Sequence, residues 1–194
     1  RENPNIVVLD ADLSVSTKTL AFAREFPERF FNMGIAEQNM IGTAAGLASA
    51  GKIPFASTFA IFATGRAFEQ IRNTVAYSNL NVKIAASHAG ISVGEDGSSH
   101  QSIEDIALMR AVPNMTLLVP ADAVETKKLV RAAAAHPGPV YIRLGRPAVP
   151  VISEDSQSCV IGKVVVFRES GDVCLFATGH MVARALEAAE LLAA

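Results

Sequence analysis

The sequence predicts an α/β fold: a mostly parallel sheet with helices on both faces. Apolar strand-like runs alternate with longer stretches of helical periodicity, the pattern of βαβ units. Several of those runs, residues 6–9 and 116–119 among them, are apolar without alternation, as strands covered on both faces are. With 194 residues, half of them hydrophobic, the chain suffices for one domain or one plus part of another and is not a disordered segment.

In chain order, the predicted strands are 5–9, 29–32, 53–57, 82–87, 115–119 and 139–143. The predicted helices are 16–24, 37–50, 60–78, 103–111 and 122–135. Residues 1–150 make one domain on this pattern. From 144 to 160 the periodicity breaks at Gly145, Pro147, Pro150, Ser153, Asp155 and Ser156, which predicts a linker centred on 151–160. Two strand-like runs, 162–167 and 173–177, then precede a helical stretch, so 161–194 is expected to open a second α/β domain. The helical periodicity from 181 onward meets no stop signal, which predicts a fragment of a longer chain.

The net charge of −2 gives no reason to expect nucleic acid or an anionic membrane as partner. No apolar run approaches the roughly 18 residues of a membrane span. Cys159 and Cys174 sit in no CxxC motif and near no histidine, which suits two packing thiols in a reducing, cytoplasmic setting and gives no zinc signature.

An open parallel sheet binds ligands beyond the carboxyl ends of its strands. The strand-end loops are rich in polar groups. In Asp10–Ser16, Ser14 or Ser16 suits a helix N-cap, and a helix N-terminus bearing hydroxyls also suits a phosphate. Glu37 opens an Ala/Gly-rich helix; it is either compensation of the helix dipole or a carboxylate held in a poorly solvated cleft. Phe59 and Phe62, three apart, are either core or a wall for a planar ring. Residues 87–101 form a long loop without helix or strand periodicity, containing His88, Glu95, Asp96 and His100 together with three glycines. Arg146, just past the last strand of the first domain, suits bidentate capture of a phosphate or carboxylate. His136 and His180 have nothing functional to recommend them.

Together, Leu9–Leu13 with Ser16, Gly34–Met40, Ser57–Phe62, Ser87-His88 with Gly94–Gly97 and His100, and Gly145–Pro147 resemble the transketolase family over nearly the whole chain. The match is to its pyrimidine-binding domain and the start of its C-terminal domain, and looks most like the split transketolases. The resemblance implies thiamine diphosphate as cofactor, with Glu37 matching the glutamate that bonds the aminopyrimidine. It implies Phe59 and Phe62 as the rings that hold the pyrimidine, with no third ring at Gly65, and Asp12 as an acid near the cofactor and the dimer seam. Ser16, His88 and Arg146 match sugar-phosphate contacts. Asp96 matches a residue that bonds a substrate hydroxyl, and His100 one near the reacting ketose oxygens. The implied reaction is reversible transfer of a two-carbon ketol unit from a ketose phosphate to an aldose phosphate, a step of the pentose phosphate pathway.

The family's Gly-Asp-Gly…Asn metal-diphosphate motif has no match here, since Glu95-Asp96-Gly97 differs from it. The resemblance therefore implies that the diphosphate and its Mg2+ or Ca2+ bind a missing domain or partner chain, within a homodimer or with an N-terminal transketolase chain. Deoxyxylulose-phosphate synthase and the β-subunit of 2-oxo acid dehydrogenases share the fold and the glutamate, but the His88 loop and the Gly145-Arg146-Pro147 end favour transketolase. A non-catalytic dimerisation or scaffold subunit is the alternative from another class, and the intact Glu37, Asp96 and His100 weigh against it.

Overall fold

The computed structural model describes residues 2–169 and 171–193; Arg1, Ser170 and Ala194 lie outside the described residues. Six strands form one sheet: β1 (Ile6–Asp10), β2 (Phe30–Asn32), β3 (Ile53–Phe59), β4 (Lys83–Ser87), β5 (Thr116–Leu118) and β6 (Val140–Arg143). Their order is β2-β1-β3-β4-β6-β5 and every pairing is parallel. The predicted class holds, and the sheet is parallel throughout.

The α-helices are α1 (Ser14–Thr17), α2 (Leu20–Glu25), α3 (Glu37–Ser49), α4 (Asp105–Ala111), α5 (Ala123–Ala135) and α6 (Met181–Leu192). The chain leaves β1 for β2 at one edge, then returns through α3 to β3 on the other side of β1. That reversal creates the crevice in which open α/β sheets hold ligands. Met40, Ile41, Ala44 and Ala45 of α3 join Leu9, Ala56, Ile71, Ile84 and Tyr141 in the main core. A smaller cluster on α5, β5 and β6 joins Leu129 and Ala133 to Leu118, Val140 and Ile142.

Three expectations need correction. The helix expected over 16–24 is broken: Lys18 takes a left-handed conformation (φ 67) between α1 and α2. The break wraps the chain around Asp10, whose carboxylate accepts from Thr17 Oγ1 at 2.7 Å and Thr19 Oγ1 at 2.8 Å. The helix expected over 60–78 contains two π-helical segments, Phe62–Arg66 and Gln70–Tyr77. Thr64 Oγ1 donates to Ala60 O at 2.8 Å inside the first, and the Ala67 amide reaches five residues back to Phe62 O. The runs 162–167 and 173–177 form no strands, because neither has a ladder partner among the described residues. Their apolar side chains lie open, Val164 at 74% and Phe176 at 82% exposure.

Cys159 packs beside the smaller core cluster, but Cys174 is exposed, so only one of the two thiols packs as expected. An open groove of about 1020 Å³ lies between α2 and α5 over Val8, Phe55, Ser57 and Ala85. It is lined by apolar and polar side chains alike and reaches Thr17, Ser57, Ser87 and Leu144 at the strand ends. Among the described residues, no helix is long and apolar enough to cross a membrane.

Candidate functional site

Glu37 is the first residue of α3 and is 2% exposed. The Ala36 before it offers no side-chain cap, so the carboxylate stands at an open helix N-terminus where the helix dipole favours negative charge. Both of its oxygens accept from one nitrogen, Arg66 Nη1, at 2.8 and 2.9 Å. Arg66 ends the first π-helical segment, and Gln38 Nε2 ties down its carbonyl at 3.0 Å. The same guanidinium lies over the Phe62 ring, 4.6 Å from its centroid. One planar cation thus bridges the buried acid and an aromatic face.

Behind it the rings form a layered cluster. Phe59 and Phe62 stack 5.8 Å apart at 14°. His88 stacks on Phe59 at 3.8 Å, and the edge of His100 meets Phe62 at 5.3 Å. Phe59 ends β3 and is 5% exposed, so Phe62 is the more open of the two rings, with Phe59 as its support. The two residues belong to different elements rather than to one helix face.

His88 follows β4 with a positive φ of 59, a backbone strain that recurs at functional sites. Its Nδ1 lies 3.0 Å from Ser87 Oγ. Burial lowers its pKa; Asp96 opposes that shift, and Arg146 and His100 add to it. Asp96, Arg146 and His100, three of the other expected substrate residues, thus act electrostatically on His88. The long loop between them is built from two short 3-10 turns, Gly94–Asp96 and Ser98–His100, and is pinched by a bridge between Gly90 and Ser102.

Arg146 pairs with Glu95 at 2.6 and 3.2 Å. Its own backbone amide first, and then this pair, lower the pKa of the Glu95 carboxyl. Two glycines make room here: a side chain on Gly94 would run into Arg146 Nη1, and one on Gly145 into the His180 ring. His180, expected to be inert, thus packs against the turn that presents Arg146.

Asp12 and Ser16 lie on the stretch that follows β1. Both are exposed; Asp12 accepts from Asn32 Nδ2 at 3.0 Å, and Ser16 sits in α1 without serving as its cap. Neither Ser14 nor Ser16 caps α1; Asp10 Oδ1 instead accepts from the Leu13 amide at 2.6 Å. Asp10 is 0% exposed, the buried member of the Asp10/Asp12 pair.

Sequence reasoning missed three residues beside the site. Arg66 had one available signal, a cation four positions after Phe62 in a helical run. Asp105, 0% exposed, accepts from Tyr141 Oη at 3.0 Å and Arg143 Nε at 2.7 Å, and resembled an ordinary acidic first-turn residue. Arg143 lies beneath the long loop, with Nη2 3.3 Å from where a Gly90 side chain would begin. Among the described residues, no group of three or more His, Cys, Asp or Glu is placed to hold a metal ion.

Comparison with known proteins adds a second line of observation. The family described as transketolase, pyrimidine binding domain, matches residues 1–151. A Methanocaldococcus jannaschii protein with the provisional name transketolase C-terminal section is 57% identical over 190 residues, 97% of this chain and 60% of that protein. A 6-deoxy-6-sulfo-D-fructose transketolase subunit of Clostridium sp. (strain MSTE9) is 46% identical over 194 residues, 100% of this chain and 60% of its own length. A solved chain described as a split gene transketolase, inactive beta4 tetramer, superposes with a TM-score of 0.89 at 61% identity, covering 98% of this chain and 62% of that one. The chain thus spans about 60% of the length of these relatives.

Proposed function

The chain belongs to the transketolase family, and we propose that it is the pyrimidine-binding half of a thiamine-diphosphate-dependent ketol-transfer enzyme. The observation that carries this reading is Glu37, a carboxylate 2% exposed that reaches a stacked aromatic cluster through a single guanidinium. The donor set suits an aminopyrimidine: a buried acceptor at a helix N-terminus, beside the half-buried face of Phe62. Glu37 would accept the hydrogen bond of the ring nitrogen and Phe62 would hold the ring, backed by Phe59. Asp12 would stand at the seam with the neighbouring chain. The cofactor supplies, when bound, a carbanion-stabilising thiazolium.

His88, Asp96, His100 and Arg146 would receive the sugar phosphate, with Ser16 at the rim. Arg146 would exchange Glu95 for a phosphate, a better-matched bidentate partner. His88, with Nδ1 beside Ser87 Oγ, would offer its other ring nitrogen for a hydrogen bond. His100, edge-on to Phe62, would position the ketose oxygens or pass them a proton.

The metal and diphosphate are assigned to another chain or domain. The strand-end edge supports this, because it exposes Val15 at 67%, Ile35 at 77%, Ile91 at 73% and Ile103 at 76%, on α1 and on the loops that follow β2 and β4. A partner covering that edge would bury them and close the cleft to water. The sequence resemblance leads us to assign a homodimer of such pairs and a cytoplasmic setting.

The test is a ketol-transfer assay with a ketose phosphate donor and an aldose phosphate acceptor, on the chain combined with a partner carrying Gly-Asp-Gly. Glu37→Gln is expected to lower kcat about a hundredfold or more. Unchanged turnover in E37Q would favour the scaffold reading. Transfer from pyruvate instead of the ketose would favour a deoxyxylulose-phosphate synthase.

A further inference from the structure

Arg66 meets, with its own side chain, the two requirements that the proposed site makes of its ligand. A guanidinium is planar, delocalised and cationic, and carries N–H donors in its plane. Here one Nη reaches both oxygens of Glu37, at 2.8 and 2.9 Å, while the carbon at its centre stands 4.6 Å from the Phe62 centroid. An aminopyrimidine held by the same acid and ring would present a similar shape, a flat heterocycle whose ring nitrogen donates to the acid once it is protonated.

We propose that Arg66 is a placeholder. It occupies the position of the pyrimidine in the cofactor-free protein, neutralises Glu37 there, and swings out when the ring arrives. This rests on the reading of Glu37 given above.

Three observations support exchange over permanence. The Arg66 side chain is 49% exposed, so it can rotate into water with little loss of packing. Glu37 is 2% exposed, and no other hydrogen bond to its carboxylate occurs among the described residues, so it needs a partner in either state. The backbone carrying Arg66 is a π-helical segment, a conformation frequent at functional sites.

A group that holds the empty site and leaves on binding weakens apparent affinity by the fraction of molecules it blocks. If the pair is closed about nine-tenths of the time, removing it tightens binding about tenfold. Arg66 is therefore a positioning residue for Glu37, and its removal has opposite effects on the empty and the loaded protein.

The experiment is calorimetric titration of thiamine diphosphate, with magnesium present, into this chain assembled with its diphosphate-binding partner. Cofactor-free and saturated melting temperatures are recorded in parallel. Arg66→Ala is expected to tighten Kd about tenfold while the cofactor-free Tm falls by several degrees, so the shift on saturation is larger than in the wild type. Arg66→Lys keeps a charge for Glu37 but loses the flat stack on Phe62. It is expected to fall between the two, about threefold tighter than wild type, and decides the matter if R66A does not assemble. An R66A or R66K Kd equal to or weaker than that of the wild type overturns the placeholder. A wild-type complex that binds no cofactor overturns the assignment of the pyrimidine site instead.

Discussion

Replacing Asp105 with Ala should destabilise the chain far more than a single surface-helix acid would. Asp105 is buried at the first turn of α4, and its carboxylate accepts from Tyr141 Oη at 3.0 Å and from Arg143 Nε at 2.7 Å. Burial and the neighbouring carboxylate push the Tyr141 hydroxyl well above its ordinary pKa, so it remains a donor at every working pH. In D105A the phenol is left in the core without that acceptor, and the guanidinium, on a side chain only 20% exposed, without that anion. Breaking a buried ion pair from one side costs about 3–5 kcal/mol, and an orphaned buried hydroxyl about 1–3. These overlap, so about 4 kcal/mol is expected in all, or a Tm drop of about 8–16 °C at this chain length. The assay is thermal or urea unfolding of D105A, Arg143→Met and the double variant. The double should be about 2 kcal/mol more stable than the sum of the singles, because the second substitution removes a charge the first had stranded. Because Arg143 lies beneath Gly90, D105A should also speed amide exchange through the loop that carries His88 and His100. A loss below about 1 kcal/mol, or additivity within about 0.5 kcal/mol, would refute the coupling.

Two further predictions concern pH. Lys83 is 0% exposed, its ammonium donates to His136 O and Gly138 O at 2.7 Å each, and burial lowers its pKa from 10.5 to about 8. The unfolded chain therefore keeps this proton over a range where the folded chain has lost it, and stability should climb as pH rises from about 8 to 10.5. Lys83→Met should flatten that climb in urea melts; an unaltered slope would show that the lysine is not its source. His88 is also lowered, from 6.5, by burial first, so the unfolded chain takes up the proton before the folded one does. Stability should fall as pH drops below about 6.5, and His88→Phe should remove that share of the acid limb.

The strands were legible because nothing competes with them. Runs such as 6–9 are apolar without alternation, and a chain of this length has few other ways to bury them. The interrupted helices were not legible. The break at Lys18 depends on two threonine hydroxyls meeting one carboxylate, and the π-helical turns after Phe62 depend on backbone pairing; neither leaves a periodic trace. The runs 162–167 and 173–177 have strand composition, but a strand exists only as a pair, and composition does not supply the neighbour. At the site, residues near one another in sequence were found, and groups joined across the fold were missed. Glu37 and Phe62 carried motif signals, whereas Arg66, 29 positions from Glu37, and Arg143, 38 from Asp105, acquire meaning only when the sheet brings their partners to one edge.

Two buried carboxylates at that edge each hold an arginine, and the difference between them separates framework from site. Asp105 satisfies Tyr141 and Arg143 together, and its arginine side chain is 20% exposed. Withdrawing that guanidinium would strand a core hydroxyl's acceptor and leave a cation with little water to enter, so the pair stays closed. Glu37 is as deeply buried, but its arginine side chain is 49% exposed and lies over an aromatic face. Water can take up that guanidinium, so the cost of opening the pair falls on the buried acid left behind and is met by whatever replaces the arginine. The acid cannot follow it out, because it is anchored at the first turn of a thirteen-residue helix whose inner face is core. The pair is thus asymmetric, with an immobile anion and a mobile cation. That is the arrangement a ligand can exploit, for a ring arriving at Glu37 displaces a partner that water will accept and gains one that cannot retreat.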